Sequence, residues 1–202
     1  MIRKNTPIAP AVIGLFFGMI VLAKAERLPT PEDAGPPERY VRFAQAAATG
    51  DPSAQYEFGK MNESGEAGFV DYDTAISWYL KAARQGNVEA QYRLGYMYRR
   101  RIGVESNFHE AVKWYRMAAR QGHVGSLNSL GVMYDHGEDY GEPQDYVEAY
   151  KWFSLAIVQG NATAARNRDR IAKWMTAAQI EQAVAKINTW QRAKDLTEAR
   201  DE

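Results

Sequence analysis

Ala75-Ile76-Ser77-Trp78-Tyr79-Leu80-Lys81-Ala82-Ala83-Arg84-Gln85-Gly86 decides the fold of this chain, because the stretch returns. Ala111-Val112-Lys113-Trp114-Tyr115 leads to Ala118-Ala119-Arg120-Gln121-Gly122, 36 residues on. Ala149-Tyr150-Lys151-Trp152-Phe153 leads to Ala156-Ile157-Val158-Gln159-Gly160, 38 residues further. A second block runs ahead of each. Ala54-Gln55-Tyr56-Glu57-Phe58-Gly59 becomes Ala90-Gln91-Tyr92-Arg93-Leu94-Gly95 and, more loosely, Ser126-Leu127-Asn128-Ser129-Leu130-Gly131, at a spacing of 36 each time. The third unit therefore carries two extra residues in its internal loop. A half copy, Ala46-Ala47-Ala48-Thr49-Gly50, precedes them all. A period in this range is the mark of a repeat architecture.

Each unit reads as a pair of helices. Ala75, Trp78, Tyr79, Ala82 and Ala83 fall at i, i+3, i+4, i+7 and i+8, one apolar face of a helix, and the other copies keep the spacing. Asp71, Asn107 and Asp145 stand at the expected N-caps, with Glu110 and Glu148 placed to complete capping boxes. Gly86, Gly122 and Gly160 follow the helix ends, where a left-handed residue is needed. The first block has its own stripe: Ala54, Phe58, Gly59, Asn62; Ala90, Leu94, Gly95, Tyr98; Ser126, Leu130, Gly131, Tyr134. Glycine inside a helix costs about 1 kcal/mol against alanine. Its return at 59, 95 and 131 predicts a partner helix passing too closely for a side chain, with Ala82, Ala83, Ala118 and Ala119 making room and Trp78, Trp114 and Trp152 filling the wider gaps. Two helices cannot bury such faces alone, so the units stack. The expected fold is all-α, a right-handed α-solenoid of helix-turn-helix repeats.

The blocks A-x-x-x-L-G-x-x-Y and A-x-x-W-Y-x-x-A-A-x-x-G, 36 apart, resemble the Sel-1-like repeat, a relative of the tetratricopeptide repeat. Two positions depart from the pattern: Asn62 stands where tyrosine is usual, and Arg101 where a loop glycine is usual. The resemblance covers Tyr40 to about Asn161 and implies an adaptor that assembles complexes, often at membranes or in exported compartments.

The ends differ in character. Residues 1–25 join Arg3 and Lys4 to an apolar run from Ile8 to Ala23 and an Ala23-Lys24-Ala25 end, the pattern of a cleaved signal peptide. The run is 16 residues and holds Pro10, short of the roughly 20 residues of a spanning helix. The expected product is periplasmic or secreted; an uncleaved membrane anchor at 8–23 is the alternative. Cleavage leaves 22 cations against 25 anions. Residues 26–37, with four prolines, read as a linker. The half-repeat then takes 38–51, the repeats 52–87, 88–123 and 124–161, capping helices 162–191, and a charged tail 192–202. In the cap, Thr176-Ala177-Ala178-Gln179 is a capping box, and Ile180, Ala183, Val184, Ile187 and Trp190 follow at helical spacing.

Catalytic chemistry is hard to place. No cysteine is present, which excludes disulfides, thiolate metal sites and a catalytic thiol. Charges balance at 25 of each sign, so bulk charge gives no reason to expect nucleic acid. His109, His123 and His136 form no zinc spacing and read as surface residues. No nucleophile motif or phosphate loop appears, and no metal, catalytic residue or cofactor is expected. The expected role is an exported scaffold holding a partner protein or peptide. The alternatives are a cell-envelope hydrolase and a membrane-anchored structural subunit.

Two surfaces are candidates. The first helix of each unit commonly lines the inside of a solenoid, and its positions off the packed stripe are Tyr56, Lys60 and Glu63; Tyr92, Tyr96 and Arg99; Asn128, Val132 and Asp135. Tyrosine and arginine tend to carry interface energy, though such tyrosines also serve simply to cover helix seams. The second surface is a pair of charged loops: Arg99, Arg100 and Arg101 against Asp135, Glu138, Asp139 and Glu142. These are expected to be neighbours, compensating each other or forming a split-charge surface; the acidic spacing does not match a calcium loop.

Overall fold

The repeating stripes build repeating hairpins. In the computed structural model of this chain, residues 36–66 and 68–201 are described. The expected signal peptide 1–25 and nearly all of the expected linker lie outside them. The described residues form nine α-helices: α1 (Glu38–Ala48), α2 (Pro52–Ser64), α3 (Tyr72–Arg84), α4 (Val88–Arg100), α5 (Phe108–Arg120), α6 (Val124–Asp135), α7 (Tyr146–Val158), α8 (Ala162–Ala172) and α9 (Ala177–Asp201). A 3-10 turn, Gly137–Tyr140, occupies the longer loop of the third unit. Helices α2/α3, α4/α5 and α6/α7 pair as antiparallel hairpins, each stacked on the next, which makes the fold an all-α solenoid.

Caps mark each boundary. Asp71, Asn107 and Asp145 each accept a bond from the amide three residues on. Asp51, Asn87, His123 and Asn161 do the same for the first helices and α8. Gly50, Gly86, Gly122 and Gly160 all take positive φ after the preceding helix. The expected capping boxes at Glu110 and Glu148 do not form. The amides of Asp71, Asn107 and Asp145 donate instead to the carbonyls of Asn62, Tyr98 and Tyr134 at the end of the preceding helix. That main-chain bond closes each hairpin loop and leaves the glutamates for other work. At α9 the box is complete: Thr176 N donates to Gln179 Oε1 (2.8 Å), and Gln179 N to Thr176 Oγ1 (3.3 Å).

The helical glycines seat rings. A Cβ on Gly59 would lie 2.8 Å from the Tyr79 ring, one on Gly95 2.6 Å from Tyr115, and one on Gly131 2.4 Å from Phe153. What crowds each glycine is chiefly an aromatic side chain, rather than the neighbouring helix backbone the spacing predicts. Tyr79, Tyr115, Phe153 and Trp152 are fully buried with the alanines around them. Asn62 is no defect: it is buried, donates to the Phe58 carbonyl and accepts the Tyr40 hydroxyl at 2.9 Å, fastening α1 to the first repeat.

The C-terminal helices divide the capping task. Helix α8 packs on α7 and α6, whereas α9 packs across α7. Ala183 is fully buried there, but Val184, on the expected apolar face, is 44% exposed, and Trp174 lies beyond the end of α8 and is 58% exposed. The charged end does not stand apart as a tail; it continues α9 to Asp201. No helix of the described residues is long and apolar enough to cross a membrane.

Candidate partner-binding surface

Helices α2, α4 and α6 carry the predicted first-helix residues, all of them at least partly exposed except Asp135, which is buried. On α2, the Tyr56 ring packs 5.7 Å from that of Tyr79. Lys60 sits over Tyr56 at 5.6 Å and pairs with Glu57 at 3.0 Å. On α4, the Tyr92 ring lies 5.7 Å from Tyr115 and 4.4 Å from His123. Tyr96 is flanked by two guanidinium groups, Arg93 at 4.8 Å and Arg99 at 5.8 Å. Tyr56, Tyr92, Tyr96, Arg99, Asn128 and Val132 are all half-buried, and Lys60 is exposed. Tyr56 and Tyr92 thus cover seams of their own hairpins, Tyr92 also meeting His123 at the start of the next, and all three tyrosines remain partly exposed.

One ionic link locks repeat 1 to repeat 2. Glu63 Oε2 accepts from the Tyr79 hydroxyl and from Arg93 Nε, each at 2.7 Å, while Arg93 Nη2 bonds the other oxygen. Burial, and then the bond to Glu63, push the Tyr79 hydroxyl pKa well above its ordinary value. Burial pushes Tyr115 up to about 12. Neither phenol ionises near neutrality, so both act as neutral packing groups. Tyr56, Lys60, Glu63, Ser64 and Arg93 together line a shallow cleft spanning the two repeats.

A second device recurs at the other end of the hairpins. Gln85 Nε2 donates to Gln55 Oε1 (2.8 Å), and Gln55 Nε2 to the Ala47 carbonyl (3.3 Å). One repeat on, Gln121 donates to Gln91 (2.9 Å), and Gln91 to the Ala83 carbonyl (3.0 Å). Gln55 and Gln91 are buried, so these relays satisfy amides the core would otherwise strand. The signal was present in the sequence as Gln55/Gln85 and Gln91/Gln121 at the repeat spacing. In repeat 3, Leu127 takes the place of the inner glutamine and the relay ends.

The charged loops are arranged otherwise than expected. Asp135 is 1% exposed and forms an ion pair with Arg170 of α8, so it is a buried fastener and not a member of a surface acidic loop. Glu142 lies 3.4 Å from His109, and Asp139 3.5 Å from His136. The Glu138 side chain lies outside the described residues. Arg100 and Arg101 are exposed, and Arg101 ends α4 in the left-handed region at φ 61°. That is where glycine is favoured, and a residue with a Cβ costs about 1 kcal/mol there. His123 is also not a surface residue. Its side chain is 18% exposed and its Nδ1 caps α6. Among the described residues, no group of histidines and carboxylates could hold a metal ion.

The sequence model of the Sel1 repeat matches residues 52–87, 88–123 and 125–161. A Sel1 repeat protein from Oxalobacter formigenes is 31% identical, aligned over 66% of this chain and 99% of its own, with a TM-score of 0.56. A protective antigen of uropathogenic Escherichia coli displaying an SLR fold is 24% identical, over 75% of this chain and 48% of its own, with a TM-score of 0.34. An immunity protein from Pseudomonas aeruginosa is 18% identical, over 94% and 86%, with a TM-score of 0.36. No curated protein matches the chain.

Proposed function

This chain belongs to the Sel1 repeat family, and from that premise we propose that it is an exported adaptor holding a partner protein or peptide along its first helices. Sel1 repeats are generally protein–protein interaction modules, and the family is typically a non-enzymatic scaffold. The observation that carries the assignment to the first helices is the set of half-exposed rings, Tyr56, Tyr92 and Tyr96, set among Lys60, Arg93 and Arg99. The Tyr56 and Tyr92 rings are fixed by packing on Tyr79, Tyr115 and His123, and Tyr96 is flanked by Arg93 and Arg99, so little rotamer freedom is lost when a partner binds. Export rests on the signal-peptide pattern of residues 1–25.

Affinity capture from the chain's own cell envelope tests the reading, with a Tyr92→Ala, Tyr96→Ala variant whose helicity and melting are checked alongside. A protein retained by the parent and lost by a folded variant is the expected result. Equal retention refutes the first-helix assignment. The mass of the mature chain tests export separately: a start at Glu26 is expected, and an intact N-terminus favours the membrane-anchored structural subunit.

A further inference from the structure

Helix α9 shows how this scaffold receives a helix. Its Lys186 Nζ donates to Glu148 Oε1 at 2.7 Å, while Glu148 Oε2 accepts from Lys151 Nζ at 2.5 Å. Four residues on, Trp190 packs edge-on against Trp152, with ring centroids 4.7 Å apart. Burial alone would raise the Glu148 carboxyl pKa, but the bonds from both lysines outweigh it and hold it low. The seat is therefore a Glu-x-x-Lys-Trp stretch on the second helix of a repeat, and the incoming pattern is Lys-x-x-x-Trp.

A related stretch lies one repeat earlier, with the ion pair open but the ring already covered: Trp114 is 5% exposed, packed in the core of repeats 1 and 2. Glu110, Lys113 and Trp114 of α5 precede Glu148, Lys151 and Trp152 by 38 residues. There Lys113 Nζ alone bonds both carboxylate oxygens, at 3.0 and 3.2 Å. The side chains are 57% and 35% exposed, against 9% and 11% for the pair that α9 covers. Repeat 1 has Thr74 and Ser77 at these positions and no such pair. We infer that the outer face of α5 is a second helix-docking site, and that its occupant is an amphipathic helix of a partner protein.

The chemistry of that helix follows from the differences between the two seats. Leu155 and Val158, which line the cleft beside Trp190, are replaced by Met117 and Arg120. In α9, Asp195 lines that cleft as well. A helix meeting α5 thus presents a cation to Glu110, an aromatic ring four residues later beside Met117, and a carboxylate about one turn beyond, opposite Arg120. This surface lies on the second helices and does not depend on the first-helix assignment.

A labelled synthetic peptide spanning residues 177–201, titrated into the full chain, provides the probe. Saturable binding is expected, weakened at least about tenfold by Glu110→Lys in the chain and restored when the peptide carries Lys186→Glu. Glu110 is half-buried and its carboxylate bonds Lys113 on the helix surface; circular dichroism checks that the variant keeps its fold. A peptide with a photo-crosslinker in place of Trp190 should label α5. Absence of binding, indifference to Glu110→Lys, or labelling of α7 or of the first helices would each overturn the inference.

Discussion

His123 caps α6 at a position where α2, α4 and α8 use Asp51, Asn87 and Asn161. A histidine can do this only with Nδ1 unprotonated, accepting from the Ser126 amide at 3.1 Å. Gly125 makes the space, since a Cβ there would meet the ring at 3.0 Å. Burial pushes the imidazole pKa below 6.5, opposed in part by Glu89, whose carboxylate lies 3.7 Å from Nε2. For a base whose folded pKa is depressed, the folded state binds fewer protons than the unfolded chain. Its stabilising share is therefore complete above the unfolded value near 6.5, and is lost as pH falls through the folded value. Urea denaturation of His123→Asn and the parent at pH 7.5 and pH 5 should show the difference shifting by about 1 kcal/mol in favour of asparagine at the lower pH, the scale of one helix cap. A constant difference would mean that the ring caps in either protonation state.

Within each hairpin, a glycine on the first helix faces a ring on the second. Two effects compete when Gly95 becomes alanine. The helix gains about 1 kcal/mol in propensity. Against that, the new methyl group would stand 2.6–2.9 Å from three carbons of the Tyr115 ring, which is fully buried and has nowhere to retreat. Overpacking of this kind costs about 1–3 kcal/mol, so the net expectation for Gly95→Ala is a loss of about 1 kcal/mol and a lower melting temperature. A raised melting temperature would show that the ring can shift and that the glycine is not a packing requirement. The periodic glycines were legible in the sequence; that a ring occupies the space was not, because only the crossing of the two helices brings residues 95 and 115 together.

Across the molecule, stability is distributed as neighbour-to-neighbour contacts: Glu63 with Arg93, Gln91 with the Ala83 carbonyl, Asp135 with Arg170. A chain held this way opens locally, from whichever end is weakened. Trp190→Ala removes the wedge from Trp152 and should cost about 2 kcal/mol, less than a fully buried tryptophan because the ring is half-exposed. Hydrogen exchange should then quicken through α7 and α9 while α2 and α3 keep their protection. Uniform acceleration along the chain would mean that the solenoid unfolds as one unit.

The sequence alone determined the period, the hairpin unit, the caps and the family, since each is a local pattern of residue types repeated along the chain. Helical spacing is local too, so Tyr56 and Tyr92 take equivalent positions in successive repeats, with Tyr96 one turn beyond. The tertiary structure decided what depends on distant partners. Asp135 reads as one more loop acid until Arg170, 35 residues away, turns it inward. Glu110 and Glu148 read alike, yet only Glu148 is buried, because α9 lies across it. Hydrophobic spacing fixes which face of a helix is covered, but burial and charge pairing are set by whichever element packs against that face.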